Sequence, residues 1–262
     1  IYCQSVSKSN KKGKIQNDII IPKQEAEQML TSFIDNISYD SFPVEKGKRP
    51  QRCTGAALHL AVTLIHTLFG NKVSSHIFLF SGGPITKGPG KMAEIDKIHP
   101  IRQHHDIEQG KAPLSQQSRE FFSHLAIKSA NNNIVINYIS ASFEESGIYE
   151  LFPCVYQTGG FILSNETFSD DNIYKTFMKY FKGGIIKNSG VNSLMTIRLS
   201  SQLKVCGCIG PCKSCEIASS SVSNTIIGCG GTTQWQTSCI LPNITYAFYF
   251  DIFNTKIDPI PH

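Results

Sequence analysis

The sequence predicts a mixed α/β fold, in which a parallel sheet covered by helices is followed by strands of an antiparallel β-sandwich. Two observations carry this prediction. Between residues 22 and 191, short apolar runs alternate with helical periodicity, which is the pattern of strand–helix–strand units in a parallel sheet. From residue 192 to residue 262, short segments alternate between apolar and polar positions, which is typical of antiparallel strands.

The first 21 residues have the composition of a linker, and a helix is predicted to follow them. Lysine, serine and asparagine crowd the segment 7–14, and this favours a solvated, mobile chain over a packed element. Pro22 suits the first turn of a helix. The apolar residues of this helix recur at helical spacing and form one face: Ala26, Met29, Leu30, Phe33 and Ile37.

The stretch 52–89 is the centre of the predicted α/β domain. Apolar residues recur every three to four positions, which indicates a helix that is buried on more than one side. These residues are Ala57, Ala61, Leu64, Ile65 and Leu68. The unbroken apolar run Ile77–Phe80 then ends in a turn rich in Gly and Pro. We expect this run to be the central strand of a sheet that is covered on both faces.

The rest of the α/β domain continues to alternate helices with strands. A long connection over 82–113 contains His104, His105 and Asp106, which we expect to lie in a loop. The predicted elements that follow are a helix over 118–130, a strand over 134–142, a short helix or turn over 147–152, a strand over 160–163 and a helix that begins after Ser169 or Asp170. The buried face of this last helix is predicted to be Ile173, Tyr174, Phe177 and Phe181.

Four segments after residue 192 alternate in the way that strands do. They are 195–199, 203–208, 233–240 and 245–253. Four strands are too few to close a β-sandwich by themselves. Trp235, the only tryptophan in the sequence, is predicted to belong to the core of this second domain.

Length, charge and cysteine content limit the classes of function. A chain of 262 residues with 40% hydrophobic residues supports a substantial core, and it has no apolar run of the ~18 residues that a membrane span requires. The net charge of +5 permits an acidic partner or an anionic surface. Nine irregularly spaced cysteines favour free thiols in a reducing compartment. The chain begins with Ile1 and shows no signal-peptide pattern, so we expect it to be a piece of a longer protein.

Motifs for nucleotide binding and covalent catalysis do not fit. The glycine-rich segment 83–89 lacks the Gly-Lys-Ser/Thr of a phosphate-binding loop, and its prolines remove backbone N–H donors that such a loop needs. No Gly-x-Ser-x-Gly nucleophile motif is present. The adjacent imidazoles at positions 104 and 105 are better explained by a loop that satisfies its own backbone groups. We therefore predict no catalytic residue in this chain.

A cluster of cysteines approaches the spacing of a zinc site without predicting one. Cys206, Cys208, Cys212 and Cys215 would supply four thiolates to a tetrahedral metal. However, Cys206 and Cys208 are expected on the same face of one strand, which favours buried free thiols. We therefore predict no metal ligand and no cofactor in this chain.

Seven basic residues are candidates for contact with an anionic surface: Lys46, Lys48, Arg49, Arg52, Lys175, Lys179 and Lys182. The first four precede the main helix, and the last three are spaced so that they line one helix face. A basic residue near an anionic membrane gains roughly 1 kcal/mol of attraction. A solvated surface without a partner is the alternative, and the sequence leaves both open.

Several blocks of the sequence, taken together, resemble one protein family. The blocks are GKRPQRCTGAALHLAV, FSGGPITKGPG, PIRQHHDI, TGGFIL, IGPC and GTTQWQ. The Thr-Gly helix start, the apolar strand and the turn of small residues are similar to the von Willebrand factor A fold. In this order, from about residue 43 to residue 262, the blocks resemble the trunk and the following β-sandwich of the Sec23 family, the GTPase-activating subunit of the inner COPII coat.

The resemblance implies a function by contact rather than by catalysis. Members of the family pair with a cargo-binding coat subunit as a heterodimer and dock on the membrane-bound Sar-family GTPase. They act in the cytoplasm, peripherally on the endoplasmic reticulum membrane and on COPII vesicles, and no nucleic acid is implied as a partner. The arginine that speeds GTP hydrolysis belongs to a C-terminal region outside this chain, and the structural zinc lies upstream of it. The resemblance therefore assigns neither role to a residue present here.

Two other classes of protein stay open at this point. An extracellular von Willebrand A domain that binds ligands through Mg²⁺ needs Asp-x-Ser-x-Ser in its first strand, a Thr at the helix start and an Asp in a later turn. Thr54 matches, but Gly82 stands at the Asp position and no Asp-x-Ser-x-Ser occurs, so such a site would be degenerate. A nucleotide-binding enzyme is the other class, and stabilisation by nucleotide would reveal it.

Overall fold

The computed structural model describes residues 21–38, 42–182, 184–185 and 188–252. The predicted linker over 1–21 lies, except for its last residue, outside the described residues. Within them the predicted fold class is confirmed, because helices flank a three-stranded parallel sheet and antiparallel strands follow it. The predicted domain limits, 22–191 and 192–262, stay a prediction.

The α/β part of the chain consists of six described helices and three described strands. In chain order they are α1 Lys23–Asp35, α2 Thr54–Phe69, β1 Ser75–Ser81, α3 His104–Glu108, α4 Pro113–Asn131, β2 Ile134–Ala141, α5 Ile148–Thr158, β3 Ile162–Asn165 and α6 Asp171–Phe181. The helices α4 and α5 extend beyond their predicted limits. Among these helices none combines the length and the apolar composition of a membrane span.

The strand β2, rather than β1, is central in the parallel sheet. The order is β1–β2–β3, and β1 pairs with β2 alone among the described strands. All eight residues of β2 are buried, whereas Phe80 on β1 is exposed. The prediction that Ile77–Phe80 forms the central strand is therefore wrong, because a run of this apolar character also suits an edge strand whose two faces are covered by side chains.

The two faces of the sheet are covered by different kinds of contact. On one face, Leu58, Val62 and Ile65 of α2 pack with residues of α4, α5 and β2 in a buried core. On the other face, Phe78 lies among aromatic rings of α6, with its centroid 5.3 Å from that of Phe181. The apolar rings and aliphatic chains therefore cover most of both faces of the sheet, and removal of apolar surface from water is the main stabilising contribution in such a fold.

The helix α2 is buried on one side, which corrects the prediction that it is buried on more than one. Its packed stripe is Leu58, Val62 and Ile65, while Ala57 and Leu60 are exposed. The start of the helix touches the turn after β1, because a Cβ added to Gly55 would lie 2.0 Å from the carbonyl oxygen of Pro89. This close approach explains why a glycine follows Thr54.

Three further helices differ in detail from the predictions. The segment predicted as a loop, 104–106, begins the helix α3, whose Gln103 and Asp106 form a capping box. In α6, Asp170 caps the helix as predicted, but Tyr174 and Phe181, both predicted to be buried, are exposed, and Tyr180 is buried instead. The apolar face of α1 is more than half exposed; its members include Met29, Leu30, Phe33 and Ile37.

The second part of the described chain contains antiparallel strands around a small core. The strands are β4 Gly190–Thr196, β5 Leu203–Ile209, β6 Lys213–Ser214, β7 Gln234–Ile240 and β8 Ala247–Ile252. They pair as β4–β7–β6 and β5–β8. Trp235 is confirmed as a core residue, since it is fully buried and packs edge-to-face against Phe248 at 5.3 Å.

The cysteines of β5 do not share one environment. A register shift between Val205 and Gly207 bulges the strand, so that Val205 and Cys208 both join the small core. Cys206 instead lies beside Asp251 and Ser223. The expectation that Cys206 and Cys208 lie on one face of a regular strand is thus wrong, because the bulge shifts the alternation. All four cysteines considered above are free thiols.

Candidate functional site

The candidate site lies at the carboxyl edge of the parallel sheet. Open α/β sheets place their binding sites outside the carboxyl ends of the strands, where successive loops meet. Here three segments meet: the basic loop 45–52, the connection 82–103 that follows β1, and the turn 142–147 that follows β2. The side chains of Arg49 and Arg52, both from the basic loop, join these segments to one another.

Arg49 is an internal clamp rather than a surface residue. Its side chain is only 6% exposed, and its Nε donates to Glu144 Oε2 at 3.0 Å. Its Nη1 donates to three loop carbonyl oxygens, each at 3.1 Å: those of Glu94, Asp96 and His99. The prediction that Arg49 contacts an anionic surface is thus corrected, since its donors are used inside the molecule.

Arg52 lies over the turn that ends β1. Its Nη2 donates to the carbonyl oxygen of Gly82 at 3.2 Å, and a Cβ at Gly83 would lie 2.8 Å from its Nη1. The backbone N–H of Arg52 donates to the Thr86 hydroxyl at 2.9 Å, which fixes the loop to the same turn. Burial lowers the pKa of Arg52 below its ordinary value. Arg52 is therefore half-buried and only partly available to a surface.

The position of Arg52 argues against a divalent cation at this edge. The von Willebrand A pattern would place an aspartate at Gly82, and a hard cation needs such carboxylate oxygens. In this chain a guanidinium lies against that turn, and a fixed positive charge repels a cation. Within the described ranges, no three His, Cys, Asp or Glu side chains are arranged to hold a metal ion. The ligand-binding alternative thus has no support at this turn.

A buried ion pair anchors the connection after β1 to the helix α5. Glu150 is fully buried, and Arg102 donates to its two carboxylate oxygens at 3.0 and 2.9 Å. The Ser115 hydroxyl of α4 donates to the same carboxylate. Such bidentate pairs are the strong form of charged hydrogen bond. This pair was not predicted from the sequence, although a glutamate inside the apolar segment Ile148–Leu151 is a signal for a buried charge.

A groove of about 850 Å³ runs beside this ion pair. Its lining combines apolar side chains with two guanidinium groups; the residues include Ile101, Ile107, Ile148, Arg102 and Arg119. Both guanidinium groups lie near the ring of Tyr149, with their Cζ atoms 5.5 and 4.3 Å from its centroid. The residues that line the groove do not pair a nucleophile with a base.

The two lysines of the basic loop are exposed. The Nζ of Lys48 lies 2.6 Å from Glu45 Oε2, and this hydrogen bond raises the pKa of Lys48. Lys46 is exposed and makes no ion pair with a described residue. Of the four basic residues predicted here, Lys46 is therefore the one that is exposed and has no ion-pair partner within the described part of the chain.

Lys175 and Lys179 of α6, and Lys182 directly after it, lie on the surface as their spacing predicts. Lys175 pairs with Asp171 at 3.5 Å, and both side chains are strongly exposed. Lys179 and Lys182 are exposed without an ion-pair partner among the residues that the structure describes. Their contact with an anionic surface stays a prediction.

Within the described ranges, the polar contacts of the α3 imidazoles are local. His104 Nε2 lies 3.4 Å from Glu108 Oε1, and His105 Nε2 lies 2.7 Å from Gln109 Nε2. Both pairs are exposed and join residues one helical turn apart. They help to close a short helix and do not form an acid–base site.

Comparison with known proteins gives one family and one fold. The family model described as "Sec23/Sec24 trunk domain" matches residues 13–184, about two-thirds of the chain. Among solved structures, the human COPII-coat protein Sec24c is similar, with a TM-score of 0.56 and 14% sequence identity. The match covers 78% of this chain and 24% of that protein, so this chain spans about a quarter of its length. At this identity the structural similarity shows the fold alone.

Proposed function

The chain belongs to the Sec23/Sec24 trunk domain family, and we propose that it acts by contact, as a structural segment of a COPII vesicle-coat subunit. The observation that carries the proposal is the match over residues 13–184. The arginine clamps support it, because they hold three loops in fixed positions at one edge of the sheet, as a docking surface requires.

We also propose the partners and the location of this segment. The segment would pair with a cargo-binding coat subunit and dock on a Sar-family GTPase, in the cytoplasm and peripherally on the endoplasmic reticulum membrane. Within the described residues, no three His, Cys, Asp or Glu side chains are arranged to hold a metal ion. Stimulation of GTP hydrolysis needs a positioned arginine at the transferred phosphate, and we assign that arginine to another part of the coat subunit.

A recruitment experiment tests this function. Vesicles that carry a GTP-loaded Sar-family GTPase, with and without the cargo-binding subunit, are sedimented with the chain. We expect co-sedimentation that depends on these proteins, and a rate of GTP hydrolysis that the chain leaves unchanged. Equal sedimentation with protein-free vesicles would contradict docking on the coat proteins, and faster hydrolysis would contradict a purely structural role.

The exposed lysines lead to a separate prediction about the membrane. Replacing Lys46, Lys179 and Lys182 by Ser should weaken binding to vesicles with anionic lipid by about tenfold or more at low salt, since each charge contributes roughly 1 kcal/mol near such a surface. At physiological salt the difference should shrink, because exposed charges are screened over about 8 Å. Sedimentation with neutral and anionic vesicles measures both effects.

A control with the same loss of charge separates these three positions from net charge. Lys72, Lys111 and Arg198 are also exposed, and their replacement by Ser removes three positive charges outside the basic loop and α6. If both triple variants lose the same affinity, net charge rather than the predicted surface is responsible. If neither loses affinity, the lysines are solvated residues without a partner.

A further inference from the structure

Four cysteines line a cavity of about 810 Å³ between the two parts of the fold. Cys208, Cys212, Cys215 and Cys229 come from the antiparallel part, and Tyr156 of α5 lines the same cavity. Cys208 and Cys212 are buried, whereas Cys215 and Cys229 are partly exposed. The proposed coat function uses none of these thiols.

The backbone places two of these cysteines directly opposite each other. The N–H of Cys208 donates to the carbonyl oxygen of Cys229 at 3.0 Å, and the N–H of Cys229 donates to that of Cys208 at 2.8 Å. This double exchange defines a hydrogen-bonded antiparallel pair, whose Cα atoms lie about 5.5 Å apart. A disulfide spans about 4.4–6.8 Å between Cα atoms, so the two positions have the separation that a disulfide requires.

The side chains of this pair lie on the same face. Residues that are directly opposite each other in an antiparallel pair point to one side of the sheet. Cys208 is a buried member of the small core around Trp235, and Cys229 packs against that core. Both thiols also line the same cavity, and both are free. Their sulfur atoms therefore share one environment on one face of the backbone pair.

Glycines hold the two segments of this pair close together. A Cβ at Gly207 would lie 2.1 Å from the carbonyl oxygen of Ile227, and one at Gly228 would lie 2.6 Å from that of Cys208. The backbones thus approach more closely than a residue with a Cβ would allow at either position. The segment 226–231 is held against β5, so a disulfide could close by rotation of the side chains while the backbone stays in place.

The other two cysteines of the cavity are not placed opposite a thiol in this way. The N–H of Cys212 donates to the carbonyl oxygen of Gly210 in the turn after β5, and the N–H of Cys215 donates to that of Gln234. Within the described residues, neither exchanges backbone hydrogen bonds with another cysteine. They are therefore internal comparisons for the facing pair.

Cys229 is the member of the pair that a reagent from solution reaches first. It is partly exposed, whereas Cys208 is only 1% exposed. The cavity that both thiols border has a volume within the range of small-molecule sites. A small reagent that enters it therefore meets Cys229 before Cys208.

We propose that Cys208 and Cys229 form a redox-sensitive pair, which a small disulfide that enters the cavity converts into a disulfide within the protein. The first step takes place at Cys229. Its thiol releases a proton, and its thiolate attacks one sulfur of a small disulfide such as oxidised glutathione. A bond forms between Cys229 and that sulfur, the disulfide bond of the reagent breaks, and the leaving thiolate takes up the released proton.

The second step closes the disulfide from the opposite position. The thiol of Cys208, which faces the capped Cys229, releases its proton. Its thiolate attacks the sulfur of Cys229, and the second small thiolate leaves and takes up this proton. In sum, two protein thiols are oxidised to one disulfide, and one small disulfide is reduced to two thiols.

The formed bond would fix one wall of the cavity covalently. It would join β5 to the segment 226–231 and close the chain over 209–228 into a loop. A small thiol would reverse the same two steps and release the wall again. The state of this wall would thus follow the balance between small thiols and small disulfides around the protein.

Peptide mapping of the full chain after treatment with oxidised glutathione tests the pair. We expect one dominant internal link, between Cys208 and Cys229, which a reducing agent releases. Trypsin leaves Cys206, Cys208 and Cys212 together in the peptide 205–213. Fragmentation of the linked peptide in the mass spectrometer therefore decides which of these three cysteines carries the bond.

Two variants separate the facing pair from its neighbours. Cys208→Ser should lose the link and stop at a mixed disulfide on Cys229. Cys212→Ser, a change in the same cavity, should keep the link and is the matched control. The reverse pattern in these two variants would overturn the proposal.

The unsubstituted chain gives a result that does not depend on a variant that folds. The exposed Cys53 shows in each sample that the reagent is active. A dominant bond from Cys229 to Cys212 or Cys215 would overturn the proposal. So would a chain that forms no internal link while Cys53 reacts.

Discussion

Replacing Ile136 by aspartate should abolish cooperative folding of this chain. Ile136 is fully buried on β2, the strand that pairs on both of its edges, and its side chain belongs to the main core. Removal of a buried aliphatic side chain costs about 2–5 kcal/mol. A carboxyl group without a partner in the core adds several kcal/mol more. Together these losses are comparable with the 5–15 kcal/mol that stabilises a typical domain.

Urea denaturation, followed by circular dichroism and fluorescence, measures this effect. We expect Ile136→Asp to be insoluble or to lack a cooperative transition. The matched control is Ile98→Asp, in which the same change is made at a side chain that is 83% exposed, and its free energy of unfolding should change by about 0.5 kcal/mol or less. A soluble Ile136→Asp variant that unfolds cooperatively would mean that β2 is not the centre of the core.

A third variant, Leu79→Asp, compares how strongly a carboxylate on β1 and one on β2 destabilise the fold. Leu79 lies on β1 and is only partly buried, although it packs against the same core. Leu79→Asp should therefore be less damaging than Ile136→Asp, since its carboxylate can reach water from the edge of the sheet. The order of the two effects is a direct check on which strand is central.

The sequence predicted the fold class because periodicity is a local property. Alternation with a period of two and recurrence every 3.6 residues can be detected within a short window, and these patterns separated the parallel part from the antiparallel part. The order of strands cannot be detected in this way, since it depends on contacts between distant segments. β2 also contains a polar residue, Asn137, in the middle of its apolar run.

The contacts of Asn137 explain how a polar side chain can lie in the central strand. Its side chain is fully buried, its amide nitrogen donates to the carbonyl oxygen of Ile77 at 3.3 Å, and its amide oxygen accepts from the N–H of Phe161 at 3.3 Å. It thus satisfies backbone groups on both sides of the strand. The partners lie 60 and 24 residues away in the sequence, beyond the reach of any local pattern.

In the basic loop too, long-range contacts decide which side chains are buried and which are exposed. Lys46 and Arg49 are three residues apart, yet the first is exposed and the second is a buried clamp. What separates them is the position of Glu144, which is 95 residues beyond Arg49 in the chain. A cluster of charges can be recognised in a sequence, but which of those charges are neutralised inside the fold follows only from its long-range contacts.

Replacing Arg102 by methionine should destabilise the chain by about 3–5 kcal/mol, because it leaves the carboxylate of Glu150 buried without its cation. The Ser115 hydroxyl would be the only remaining side-chain partner of that carboxylate among the described residues. Methionine keeps much of the length of the arginine side chain, so the loss reports the charge rather than a cavity. Urea denaturation at neutral pH gives the difference in the free energy of unfolding.

Lys97→Met is the matched control for an exposed ion pair. Its Nζ lies 3.9 Å from Glu144 Oε1, and both side chains are more than a third exposed. Such a pair contributes about 1 kcal/mol or less. An effect of Arg102→Met no larger than that of Lys97→Met would mean that water reaches Glu150 and that the pair is not a buried clamp.

The double variant Arg102→Met, Glu150→Met separates the charge from the packing. Replacement of both members of a buried pair by apolar side chains is often close to neutral, whereas removal of one member is not. We therefore expect the double variant to recover most of the lost stability, short of about 1–3 kcal/mol because Ser115 then has a buried hydroxyl without its acceptor. A double variant less stable than Arg102→Met would instead show that Glu150 stabilises the fold without the arginine, through Ser115 and packing alone.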